Sequence, residues 1–444
     1  MTGGPLNELA GAFDAHNPPS QELIADCVHC GFCLPACPTY QLWGEEMDSP
    51  RGRIHLMQAG LEGAPLTDQM VEHFDACLGC MSCVTACPSG VQYDRLLEQT
   101  RAQVERRHER SRSEKALRET IFSLFPYPAR LRKLRGPLRA TQRLGLDRAL
   151  RRTRLLDRFF PGLAAMERLT PKLGTAEKLP AVVPAVGEQR AVVGLLTGCV
   201  QDVFFSDVNA ATARVLAAEG CRVVIPSGQG CCGALSSHSG REAEAQRFAQ
   251  QTMATFDAAP EIETVVTNAA GCGSAMKDYG PLFAAENDDA TTQSAEAFAS
   301  NVRDLSEVLT ELGTVATRHP LPMRIAYHDA CHLGHAQGVR SQPRELLRAI
   351  PGVQLVEIPD AAICCGSAGV YNILHPQTAA ELGEAKARSI MATKPDLIVT
   401  ANPGCLMQIA NALERLGTPI PMAHTATVLD ASIRGLPVES LVTP

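Results

Sequence analysis

The sequence predicts an α+β multidomain protein in which a helical N-terminal domain precedes two α/β modules, each with a parallel sheet. Three observations predict it. Residues 20–105 hold two copies of one cysteine pattern joined by a stretch of helical character. From residue 191 onward short β-branched runs alternate with alanine-rich stretches, and the cysteines of that half recur twice in the same order. Such alternation implies βαβ units, because parallel strands need a crossover between them.

The chain has 444 residues, more than one core usually serves, so several units are expected. Hydrophobic residues make up 45% and charged residues 20%, a mix that excludes a disordered or fibrous chain. The unusual figure is 17 cysteines. Residues 1–17 show neither the basic leader nor the apolar core of a secretory signal, so reduced cysteines in a cytoplasmic setting are expected, where they bind metal or do redox chemistry. No apolar run approaches the ~20 residues of a spanning helix, which predicts a soluble or peripheral protein.

The N-terminal domain, 18–105, is predicted from its cysteines. Cys27, Cys30, Cys33 and Cys37, followed by Pro38, spell C-x2-C-x2-C-x3-C-P, and Cys77, Cys80, Cys83 and Cys87, followed by Pro88, spell it again. This is the bacterial ferredoxin run, in which three close thiolates take three corners of a [4Fe-4S] cube and the fourth cysteine serves the other cluster. It predicts two [4Fe-4S] clusters, one on Cys27, Cys30, Cys33 and Cys87 and one on Cys77, Cys80, Cys83 and Cys37. Zinc is the weaker reading, since a third cysteine and a proline ending are repeated in full. His29 has no spacing partner and reads as a local hydrogen-bonder. The motifs begin 50 residues apart, and helical periodicity in the insert predicts a helical version of the domain. Arg51, Gly52 and Arg53 lie in that insert, either favouring reduced clusters or lying in a solvated loop or partner contact.

The second unit, 106–190, is a basic segment and linker. Between residues 101 and 160 there are 18 lysines or arginines against 6 acidic residues, an excess of +12 in a chain of net charge −7, which leaves −19 for the remainder. Over 128–160, arginines recur with Leu131, Leu134, Leu138, Leu144, Leu150, Leu155 and Leu156. That pattern predicts a basic amphipathic helix, which would lie on anionic headgroups or pack its leucines on the protein. No nucleic-acid role is expected of so acidic a protein. Three prolines in 171–190 predict an extended linker.

The modules, 191–318 and 319–444, follow from an internal repeat. Strands are expected over 191–197, 222–225 and 264–267, with helices over 206–219 and 241–256; the second copy has strands over 324–327, 353–358 and 396–400 and helices over 343–350 and 379–391. Cys199, Cys231-Cys232-Gly233 and Cys272 answer to Cys331, Cys364-Cys365-Gly366 and Cys405, with gaps of 32 and 40 residues in one copy and 33 and 40 in the other. Ligands gather outside the carboxyl ends of parallel strands, so each module's four cysteines are expected to converge on one further cluster or metal site; inert thiols and a structural zinc are the plainer readings. Cys221 is left over. Its counterpart is Val353, so it reads as packing. His328, His332 and His335, with Asp329, read as a polar strand-end loop and not as ligands.

The stretches CVHCGFCLPACPTYQLWGEEMDSPRGRIHL, NAATARVLAAEGCRV, GCCGALSSH, CCGSAGVYNILHP and IVTANPGC resemble the iron-sulfur subunits of flavin-dependent hydroxyacid dehydrogenases, above all those of bacterial glycolate oxidase. The resemblance covers about 380 residues. It implies a subunit that takes electrons from FAD-binding partners oxidising glycolate to glyoxylate and passes them toward a quinone or membrane acceptor, with FAD only in the partners. The modules also resemble the CCG-bearing subunit of heterodisulfide reductase, whose modules end in CxxC. Here Ala269 and Asn402 replace the first cysteine of that pair, leaving four cysteines per module and the cluster type open. The corresponding subunits of anaerobic glycerol-3-phosphate or lactate dehydrogenase, a free-standing thiol or disulfide reductase and a zinc-stapled scaffold are the alternatives.

Overall fold

The computed structural model describes residues 11–442 other than 154, 175 and 287. Of the N-terminal stretch that was read for a leader, the first ten residues lie outside that range, as does the side chain of Leu155.

Two parallel sheets dominate the second half. The first contains β1 (Val182–Val183), β2 (Ala191–Leu195), β3 (Cys221–Val224), β4 (Thr264–Thr267) and β5 (Val302–Asp304), in the order β1-β3-β2-β4-β5. The second contains β6 (Met323–Tyr327), β7 (Val353–Glu357), β8 (Leu397–Thr400) and β9 (Met422–His424), in the order β7-β6-β8-β9. Every pairing is parallel except that of β1, which joins the edge strand β3 antiparallel. The extended linker thus supplies an edge strand. Without β1 the two orders are the same, so the repeat read from the cysteines is a repeat of fold. All four residues of β8 and four of the five in β2 are buried, as expected of strands covered on both faces.

The two modules share one core. Val193, Leu195 and Val266 of the first sheet belong to the same buried cluster as Ile325, Leu397 and Val399 of the second. Helix Ser206–Ala218 packs along helix Thr425–Arg434, and Arg214 Nη2 pairs with the buried Asp430 carboxylate at 2.8 Å. Cys221, fully buried, opens β3 as Val353 opens β7, and lies in this shared core.

The N-terminal domain is helical. Helices Pro50–Leu61, Asp68–Asp75 and Tyr93–Arg107 pack around Ile54, Met57, Phe74, Leu96 and Leu97. Side-chain oxygens of Ser49 and Thr67 cap the first two by accepting from the amides of Gly52 and Met70. The domain rests on both modules. Tyr371 Oη donates to Ala76 O at 3.1 Å, Thr85 Oγ1 meets His335 Nδ1 at 2.9 Å, and Arg106 Nη1 pairs with Glu242 at 3.0 Å.

The basic segment departs from the single amphipathic helix expected over 128–160. It forms helices Pro128–Arg143, Leu146–Thr153 and Leu155–Phe159, broken first where Gly145 takes a left-handed φ of 69°. Leu131 is buried, the exposed Arg132 pairs with Asp202, and Arg135 donates to the carbonyls of Val203 and Gly174. Leu134, Leu144, Leu146 and Leu150 remain exposed. No described helix is long and apolar enough to cross a membrane.

Candidate metal centres

The two ferredoxin-type loops share a backbone turn. His29 and Gly31 in the first, and Gly79 and Met81 in the second, take positive φ at equivalent places, which coils the chain tightly between cysteines. Cys37 then caps a helix whose first residue is Pro38, where a missing N–H costs nothing, so the Cys-Pro step ends the loop and starts helix Pro38–Trp43.

A small cavity of about 20 Å³ is lined by Cys37, Cys77, Cys80 and Cys83, together with Arg53 and Tyr93. Those four cysteines are the set expected for the second cluster, including the one contributed by the first motif. Cys77, Cys80 and Cys83 are buried, whereas Cys30 of the first motif is exposed. Cys27, Cys33 and Cys87 border the same apolar core.

The Arg51–Arg53 turn is no solvated loop. Gly52 is obligatory, because a Cβ there would stand 1.9 Å from Glu46 O. Arg53 is fully buried; it donates to His73 O at 2.6 Å and to Thr39 Oγ1 and the Asp48 carboxylate at 3.2 Å. Burial pushes the Cys77 thiol up, but the cations of Arg53 and Arg101 outweigh it and hold Cys77 below its ordinary value. Cys80 and Cys83 are driven well up, by burial first and then by neighbouring thiols.

The module cysteines converge as pairs of neighbours. Cys199 Sγ lies 3.7 Å from Cys231 Sγ, Cys231 contacts Cys232, and Cys232 contacts Cys272. In the second module the same succession runs from Cys331 through Cys364 and Cys365 to Cys405. All eight sit beyond the carboxyl ends of equivalent strands, β3, β2 and β4 in the first sheet and β7, β6 and β8 in the second. Contact with Cys199 and Cys232, and then burial, push Cys231 well up; contact with Cys364, and then burial, do the same to Cys331. Four thiols in contact, three of each set buried and Cys272 and Cys331 half-buried, cannot all ionise without a cation among them, so each set suits a thiolate-seeking metal or cluster.

The sets adjoin one another. Cys80 interacts electrostatically with Cys331 and Cys364, and these residues pack in one buried cluster with Leu78 and Tyr371. Cys331 Sγ is 3.5 Å from His332 Nδ1, and the His332 ring lies 4.9 Å from that of His238. His238, paired with Glu98 at 3.4 Å, in turn lowers the Cys232 thiol after that thiol's contacts with Cys231 and Cys272. His29 contributes its carbonyl, which accepts from Arg51 Nη1 at 3.0 Å.

Two features escape the sequence reading. His328, grouped there with a polar loop, is buried, and one of its ring nitrogens lies within 4.8 Å of both Cys365 and Cys405 Sγ. Its position directly after β6, where the first module has Leu196, was the available signal. Gly228, Gly230 and Gly233 also fall in the G-x-G-x-x-G spacing of dinucleotide turns, although the resemblance puts FAD only in the partners. The helix that follows, Ala234–Ser237, is a single turn, and a Cβ at Gly233 would stand 2.9 Å from Ala245 O, so these glycines serve the turn that presents the cysteine pair.

Helical loops with paired cysteine motifs, joined to twin parallel-sheet modules with four thiols each, define an iron-sulfur electron-transfer subunit. The comparisons agree segment by segment: a 4Fe-4S dicluster domain matches residues 23–91, the linker region of the glycolate oxidase iron-sulfur subunit matches 113–170, and a cysteine-rich domain matches 193–277 and 325–410. The chain is 38% identical to the probable glycolate oxidase iron-sulfur subunit of Bacillus subtilis strain 168, over 91% of this chain and 93% of that one. It is 35% identical to the glycolate oxidase iron-sulfur subunit of Escherichia coli K12, over 88% and 91%. Lactate utilization protein A of Oceanobacillus iheyensis is 30% identical over 55% of this chain and 98% of its own. The chain belongs to the glycolate oxidase iron-sulfur subunit family.

Proposed function

We propose that this chain is the electron relay of a glycolate-oxidising complex, receiving electrons from FAD-binding partner subunits that convert glycolate to glyoxylate and delivering them toward a quinone or other membrane acceptor. The observation that carries the reading is the adjacency of Cys80 to Cys331 and Cys364, which places a ferredoxin-type thiol set directly against a module set. On this reading, residues 18–105 form the double-cluster domain, 106–190 the basic connector, and 191–318 and 319–444 the two modules.

Cys27, Cys30, Cys33 and Cys87 hold one [4Fe-4S] cluster, and Cys77, Cys80, Cys83 and Cys37 the other; bound there, the clusters supply one-electron redox chemistry. The cavity among the second four and the cross-contribution of Cys37 support that division. The residues around them exclude water from the second set and place Arg53 and Arg101 against Cys77, favouring negative charge there. The eight module cysteines hold one further cluster or metal per module.

The exposed Cys30 marks the end of the path that a partner reaches. Val28 and Phe32 beside it are 68% and 64% exposed, and Trp43 is also exposed, so this rim suits a docked flavoprotein subunit. The exposed leucines of 134–150, among arginines, suit contact with an anionic membrane surface from the cytoplasmic side.

Anaerobic co-purification with the partners, followed by iron, labile-sulfide and flavin counts and a glycolate-versus-lactate assay, tests the reading. It predicts about eight irons from the ferredoxin-type sets alone, and turnover with glycolate. Zinc without labile sulfide, or turnover with lactate only, would overturn it.

A further inference from the structure

The two modules differ at one position that faces the thiols. Leu196 N bonds to Val266 O at 2.9 Å and His328 N bonds to Val399 O at 2.8 Å, so the two residues occupy the same backbone site in the repeat, directly beyond β2 and β6. Leu196 is buried and apolar, and it packs with Cys232. His328 is equally buried, but its Nδ1 finds no hydrogen-bond partner, and it forms with Cys365 and Cys405 a buried trio whose donor atoms all lie within 4.8 Å of one another.

An imidazole nitrogen buried without a partner is costly, and a site that served packing alone would favour the leucine that the first module uses. A ring nitrogen within 4.8 Å of two buried thiols suits a mixed sulfur-nitrogen site. The surroundings diverge in the same sense. Lys386, whose Nζ donates to Asp360 O at 2.6 Å and Ala361 O at 3.3 Å, replaces the buried Met253 of the first module, and Asn402 Nδ2 donates to Cys405 Sγ at 3.5 Å where the first module has Ala269. The second site thus has Lys386 and Asn402 at positions where the first has Met253 and Ala269.

We propose that His328 is a nitrogen ligand of the metal centre in the second module, so that the modules hold unlike centres, an all-sulfur one on Cys199, Cys231, Cys232 and Cys272 and a mixed one in which His328 joins Cys365 and Cys405. The metal is a thiolate-seeking transition metal that also accepts imidazole, iron at a cluster corner or zinc. This inference rests on the reading that the module cysteines bind metal. Imidazole is neutral where thiolate is anionic, so an iron centre with this ligand has a higher potential than its all-sulfur twin.

The test uses the full chain, purified anaerobically as wild type, H328L, H328C and a C364S/C365S double variant. Metal analysis counts iron and zinc, and pulsed electron paramagnetic resonance of 15N-histidine-labelled wild type, or zinc K-edge absorption if zinc is found, reads the ligand directly. The expected result is a nitrogen ligand in the wild type, loss of the second module's metal alone in H328L, and its retention with a lowered potential in H328C. Wild-type spectra that require sulfur ligands only overturn the inference, and they decide the matter even if H328L does not fold. If C364S/C365S retains the full wild-type metal content, the underlying reading fails instead.

Discussion

At the scale of single residues, the thiols are governed by what surrounds them. Arg53 shows this most directly, since one buried guanidinium ties Thr39, Asp48 and His73 together beside Cys37 and Cys77. Replacing it as R53M takes the buried cation from the Asp48 carboxylate and leaves it only His73 Nδ1, at 3.0 Å. Removal of one member of a buried pair costs about 3 to 5 kcal/mol, so the thermal midpoint is expected to fall and iron to be retained poorly; an unchanged midpoint and iron content would refute this. His424 gives a pH dependence. Its Nε2 donates to Asn268 O at 2.7 Å and its Nδ1 accepts from Ala426 N at 3.1 Å, an arrangement that only the neutral ring satisfies. Burial drives its pKa down to about 4, against the pull of the carbonyls of Asn268 and Ala401. Unfolded, the ring takes up its proton near pH 6.5, so its contribution is present above that pH and is lost as pH falls from about 6.5 toward 4, up to about 3 kcal/mol. Asp304, raised by burial to about 6, titrates in the opposite sense, but it is common to both chains when the wild type is compared with H424Q. The stability advantage of wild type over H424Q, from unfolding at successive pH values, should shrink across that window.

At the scale of elements, the repeat makes its own controls. C221V places in β3 the residue that β7 already uses at Val353; a swap of similar volume in a core costs less than about 1.5 kcal/mol, and the iron content should not change. A loss of iron would make Cys221 a ligand and not part of the core. The strands were legible because parallel strands covered on both faces must be continuous apolar runs, and 264–267, read from Thr-Val-Val-Thr, is the strand observed. The helical stop at Gly145 was less legible, because the leucine and arginine periodicity of 128–160 runs straight through it and only the left-handed turn interrupts the helix. The cysteine motifs could be read from spacing, since adjacent metal corners demand adjacent thiols. His328 could not, for a histidine beside a strand end looks like part of a solvated loop until the sheet places Cys365 and Cys405 around it.

At the scale of the whole molecule, the arrangement of the four thiol sets matters more than any one of them. The N-terminal domain sits on the modules so that Cys80 meets Cys331 and Cys364, and His332 and His238 span from one module to the other. No length of polypeptide separates these sets as a linker would, which is what a relay requires and a set of independent structural metal sites does not. On the proposed function, the apolar rim around Cys30 meets the reductant and the exposed leucines of the basic segment face the acceptor, and both surfaces are exposed. The decisive experiment adds glycolate, without air, to the intact complex and follows the visible absorption of the clusters together with that of the flavin. A relay requires that the cluster bands bleach in step with flavin reduction and recover when a quinone is supplied. Flavin reduction with cluster bands that stay unbleached would rule the relay out.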